Sequence, residues 1–131
     1  MRTAIDRLLS AIGYPDRGSE GSLSFTLRVD GAEILAEEFD GRLVLSLKLK
    51  ADEGELETLA GYALGRMLRE RATLSWDNGP VLWQDAPADA GEGELVRLFE
   101  TFMNSCDWWR DRVDALHEGG QQEPEIKMIR P

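Results

Sequence analysis

The sequence predicts an α+β domain in which a twisted antiparallel sheet packs against helices, in the order α-β-β-β-α-β-β-α. Three observations predict it. Residues 22–49 alternate apolar and polar side chains around two Asp-Gly dipeptides, Asp30-Gly31 and Asp40-Gly41, the pattern of a three-strand meander. Leu95 to Leu116 repeat apolar side chains at helical spacing, and this is the best-patterned helix of the chain. The meander has one apolar face, which needs helices to cover it.

Helix one is expected over residues 3–12. Thr3 and Asp6 have the spacing of a capping box, Ile5, Leu8, Leu9 and Ile12 form one stripe, and Gly13-Tyr14-Pro15 stops the run. Residues 15–21 form a loop by composition. In the meander, two-residue turns place Val29 opposite Ala32, Leu27 opposite Ile34, Phe25 opposite Ala36, and then Ala36 opposite Leu45 and Ile34 opposite Leu47. Both registers put Phe25, Leu27, Val29, Ala32, Ile34, Ala36, Leu43, Leu45, Leu47 and Leu49 on one face. The other face is polar except for Leu35, Phe39 and Val44, which fall close together. These three are either scattered surface apolar residues or a docking patch.

Helix two is expected from Leu56 to about Arg71, with Leu56, Leu59, Ala60, Ala63, Leu64 and Met67 on its main stripe. A second stripe of Gly61, Leu64, Gly65 and Leu68 lies beside it. Two glycines one turn apart weaken a helix, by about 1 kcal/mol each relative to alanine, and so require a packing reason. That reason is either clearance for another element of the same chain or a dimer seam. Thr73–Trp76, Asn78-Gly79 and Pro80–Gln84 read as a second hairpin with Leu74, Trp76, Val81 and Trp83 on one face. After a loop over 85–93, helix three presents Leu95, Leu98, Phe99, Phe102, Met103, Cys106, Trp109, Val113 and Leu116 and ends before Gly119-Gly120. Trp108 falls off that face, either partly exposed or against a partner. Residues 1–120 thus form a single domain, followed by a polar, flexible tail over 121–131.

Little in the chain points to chemistry. The 131 residues carry a formal charge of -10, which repels phosphate backbones and anionic lipid and argues against nucleic acid as a partner. There is no apolar run near the length of a membrane span and no signal-peptide pattern at Met1, so the expected setting is the cytoplasm, without membrane insertion. Cys106 is the only cysteine and reads as a buried structural thiol; His117 is the only histidine and reads as a helix C-terminal group. No zinc ligand set, phosphate loop, nucleophile elbow or dinucleotide fingerprint is present. The expectation is a non-enzymatic protein without cofactor or metal.

With the elements placed, the sequence resembles the class I type III secretion chaperones over roughly residues 3–117. The resemblance rests on Ile5 to Gly13, on Phe39-Asp40-Gly41-Arg42-Leu43-Val44-Leu45, and on Leu98-Phe99 through Phe102 to Trp109-Arg110 and Val113. It implies a cytoplasmic homodimer that binds the N-terminal segment of a secreted effector, keeps it unfolded and presents it to the secretion ATPase, with no catalytic residue and no cofactor. It also implies a dimer seam at Gly61, Leu64, Gly65 and Leu68 with the Thr73 to Trp76 strand, and effector-binding pockets at Ile5, Leu8 and Leu9 and at Leu35, Phe39 and Val44. The alternative is an adaptor or sensory protein of the same fold, outside secretion, that binds a folded partner.

Overall fold

The computed structural model describes residues 3–15, 21–66 and 72–129, with the side chains of 53, 56, 63–66 and 118–129 left aside. Its elements are α1 (Ala4–Ile12), β1 (Ser24–Val29), β2 (Ala32–Phe39), β3 (Arg42–Lys48), a 3-10 turn (Glu53–Glu55), α2 (Leu56–Arg66), β4 (Thr73–Trp76), β5 (Pro80–Pro87) and α3 (Glu92–Ile129). This is the expected element order. The five strands form one antiparallel sheet in the order β1-β2-β3-β5-β4, and α1 and α3 pack on each other and on one face of it.

The meander has the derived register. Val29 pairs with Ala32, Leu27 with Ile34, Phe25 with Ala36, and Ala36 with Leu45. Asp30, Gly31, Asp40 and Gly41 all take positive φ (49°, 80°, 53° and 73°), the conformation that a two-residue primed turn demands at both central positions. Consequently Leu27, Ile34, Ala36, Leu43, Leu45 and Leu47 are buried with Leu95, Leu98, Phe102, Cys106 and Trp109 of α3.

Helix α1 is fastened at its start. Thr3 and Asp6 form the expected capping box, the Ala4 N–H donates to Glu38 Oε1 at 2.7 Å, and the Gly21 N–H donates to Asp6 Oδ2 at 2.9 Å. Glu38 thus places a carboxylate at the N-terminus of α1, where the unpaired N–H groups and the helix dipole favour it. At the other end Gly13, at φ 73°, caps the helix and the Tyr14 N–H returns to the Leu9 carbonyl. Ile5, Leu8 and Leu9 are buried in the core, where α1 packs on the sheet and on α3.

The second hairpin corrects the sequence reading. Trp76 pairs with Pro80 and Leu74 with Leu82, so the connection is the three-residue loop Asp77-Asn78-Gly79, not a two-residue Asn-Gly turn. One extra loop residue shifts the register by one and turns β5 over. Pro80, Leu82 and Gln84 therefore point to the core, while Val81 and Trp83 lie on the opposite face from Leu74 and Trp76. The strand also continues to Pro87, because Val44 pairs with Asp85 and Arg42 with Pro87 along β3.

The end of α3 differs as well. The helix does not stop at Gly119-Gly120 but runs to Ile129, through most of the expected tail. Glycine lowers helix stability without forbidding it, and neither glycine takes the left-handed backbone of a cap. His117 accordingly sits within the helix, with Nε2 3.3 Å from Glu55 Oε1, and links α3 to the 3-10 turn.

Candidate functional site

With α1 and α3 on one face of the sheet, the opposite face is the surface to examine. Its side chains follow from the pairing. One row across the strands reads Thr26, Leu35, Ser46, Trp83, Thr73, and the next reads Ser24, Glu37, Val44, Asp85. Leu35 and Val44 are diagonal neighbours, and Trp83 is diagonal to Val44 on the other side. All three are half-buried, as is Val81 further along β5.

Trp83 is held in place: its indole N–H donates to Ser75 Oγ at 2.8 Å, which orients the ring against the sheet. Phe39 belongs to the same face at the β2–β3 turn, is 60% exposed, and lies in the row of Arg42 and Pro87. Arg42 Nε donates to Asp85 Oδ2 at 3.1 Å, and Arg28 pairs with Glu33 at 3.6 Å, so the charges around the apolar row are partly satisfied among themselves. The arrangement is an apolar diagonal of Leu35, Val44 and Trp83 inside a polar frame, a composition that a peptide or protein surface can cover. Among the described residues no group of three or more His, Cys, Asp or Glu could hold a metal ion, and no helix is long and apolar enough to cross a membrane.

The expected sites separate into three sets. Leu35, Phe39 and Val44 share the open face. Ile5, Leu8 and Leu9 are core residues on the far side of the sheet. Of the seam, Gly61 is exposed, with open space where a Cβ would project, and Thr73 and the 43% exposed Trp76 lie on the edge strand β4. Leu68 lies outside the described residues, and of Leu64 and Gly65 only the helical backbone is described.

Helix α2 meets α3 through an aromatic cluster. Tyr62 stands edge-on to Trp108 and Trp109 at 6.2 and 6.4 Å, and Arg112 lies 4.8 Å over the Trp108 ring. Trp108 therefore finds its contacts within the chain. A two-residue turn would put Val81 and Trp83 on the core face; the three-residue loop puts them on the open one, and the sequence carries no signal of it, because Val81 and Trp83 are the more apolar of the two alternating sets.

The sheet also has two edges, β1 and β4. The Leu23 carbonyl accepts from Glu38 N, so the odd-numbered residues of β1 face β2 and Ser24, Thr26 and Arg28 turn their main-chain groups outward.

This fold recurs in known proteins. A chain of the HopA1-SchA chaperone-effector complex matches with a TM-score of 0.65 at 16% identity, covering 82% of this chain and 91% of that one. A chain of the ExsC-ExsE complex matches with a TM-score of 0.63 at 14% identity, covering 82% of this chain and 89% of that one. The fold of this chain is the fold of those two chains. Such a likeness concerns the fold alone; no protein-family model and no curated protein matches the chain. Among the described residues, the sheet thus presents one face not covered by α1 or α3 and two terminal strands, β1 and β4.

Proposed function

We propose that this protein is a type III secretion chaperone: a cytoplasmic homodimer that holds the N-terminal segment of a secreted effector in an extended, unfolded form and delivers it to the export apparatus through the secretion ATPase. The observation that carries the reading is β1, a terminal strand of the sheet with outward-facing main-chain groups at Ser24 and Thr26, in a fold shared with a chain of a chaperone-effector complex. An extended segment gains main-chain hydrogen bonds along such an edge, and alternate side chains find apolar contacts beside it. An unfolded partner can spread over a large area at modest affinity per unit area, which suits a cargo that must later be released.

Leu35, Phe39 and Val44, extended by Trp83, are the effector contacts of the open face in this reading. Ile5, Leu8 and Leu9 contribute by holding α1 against the sheet. The homodimer seam is assigned to Gly61, Leu64, Gly65 and Leu68 of the second helix with Thr73 and Trp76 of β4; the exposed Gly61 and Trp76 support it. The charge of -10 favours a neutral or basic segment.

The test is purification with native partners, mass by light scattering and limited proteolysis of the complex. A dimer that protects an otherwise unfolded N-terminal segment of a secreted protein is the expected result. A monomer, or a dimer that captures only a folded domain, would replace this reading with that of an adaptor.

A further inference from the structure

One rung of the β1 edge is already occupied. The Arg28 N–H, which faces away from the sheet, donates to the Tyr14 hydroxyl at 2.9 Å. Tyr14 stands at a fixed point. Gly13 caps α1 in the left-handed conformation, the Tyr14 N–H returns to the Leu9 carbonyl at 3.0 Å, and the ring stands edge-on to Phe25 with centroids 5.9 Å apart. Its hydroxyl oxygen therefore takes the acceptor position that the carbonyl of an added strand would take at Arg28. Ser24 and Thr26, the two preceding outward-facing residues of β1, carry no such side-chain acceptor among the described residues. The side chains flanking this edge suit an extended apolar-alternating segment: Leu23 is 57% exposed, and Phe25 and Val29 are half-buried at the margin of the core.

We propose that Tyr14 is a register stop on the β1 edge. An extended partner segment pairs with the main chain at Ser24 and Thr26 and ends at Arg28, where the phenol stands in for its next carbonyl. This deepens the chaperone reading and rests on its extended partner. Tyr14 here is a positioning residue, because it sets where the segment ends without itself being the pairing strand.

The probe is a synthetic peptide of about ten residues, alternating valine and threonine with a lysine at each end, chosen to be extended and to oppose the negative charge of the protein. Tyr14→Phe keeps the ring against Phe25 and removes only the hydroxyl. In the free protein, the Arg28 amide is expected to exchange slowly in the parent chain and faster in Tyr14→Phe. Added peptide should restore protection at Arg28 in the variant and bind it about threefold to tenfold more tightly, the worth of one additional hydrogen bond. A tyrosine with a purely structural role would leave peptide affinity unchanged or lower it. Equal or weaker binding by Tyr14→Phe, unaltered Arg28 exchange in the free variant, or no peptide binding by either protein would overturn the stop. Partner capture and light scattering on the parent chain decide the chaperone reading separately, so the two can fail independently.

Discussion

The guanidinium of Arg7 reaches from α1 to the carbonyls of Ala88 and Ala90, which lie just before α3. Charged donors to carbonyls are among the stronger hydrogen bonds, and both acceptors lose their partner if the side chain is removed. Arg7→Ala is expected to destabilise the fold by about 2 kcal/mol, read as a lower urea midpoint with an unchanged slope. Gln84 predicts the opposite sign. It lies on the core face of β5, donating to Thr101 Oγ1 at 2.8 Å while its Oε1 is buried without a partner. Thr101 keeps its own bond to the Arg97 carbonyl, so Gln84→Met removes an unsatisfied acceptor and orphans no donor of Thr101. It should leave stability unchanged or raise it by about 1 kcal/mol in the same urea experiment. At this scale the sequence was legible where partners are close in the chain. The Thr3 and Asp6 cap could be read from a three-residue spacing. The span from Arg7 to Ala88, 81 residues apart, leaves no local mark, and an arginine on an amphipathic helix looks like any solvated one.

Among the elements, the two hairpins show what a turn determines. Asp30-Gly31 and Asp40-Gly41 fix their registers through positive φ at both residues, and alternation then decides which side chains enter the core. That part of the sheet was derivable in full. In the β4–β5 hairpin, Asn78-Gly79 resembles the other two turns, but Asp77 belongs to the loop as well. Deleting Asp77 should force a two-residue turn, bring Val81 and Trp83 toward the core and expel Leu82. The expected outcome is loss of the cooperative unfolding transition, followed by far-ultraviolet circular dichroism and urea. The long reach of α3 was illegible for a different reason, since Gly119-Gly120 is a common helix end and only its backbone conformation decides. The composition beyond it, polar and containing Pro124, predicts that amides after Gly119 exchange much faster than those of Leu98 to Val113, as hydrogen exchange would measure.

For the molecule as a whole, the helices cover one side of the sheet and leave an apolar diagonal on the other. Fold and the proposed partner surface are therefore separable by substitution. Val44→Asp changes a half-buried residue of the open face, and is expected to weaken partner binding by tenfold or more while shifting the unfolding midpoint little; Leu45→Asp, one residue on and fully buried, should unfold the protein. Half of this surface was visible in the sequence as Leu35, Phe39 and Val44, and the other half, on β5, was hidden by the turn. The placement of the indoles has an optical consequence. Trp76 is exposed on β4 and Trp83 half-buried on the open face of β5, whereas Trp109 is enclosed and Trp108 half-buried between the helices. The emission of the native protein thus combines a long-wavelength contribution from the sheet with a short-wavelength one from the helices. A ligand covering the open face would move the Trp83 part of the first to the blue and leave Trp76, on the other face, unchanged; denaturant would move the second to the red, so one unlabelled spectrum would distinguish occupancy from unfolding.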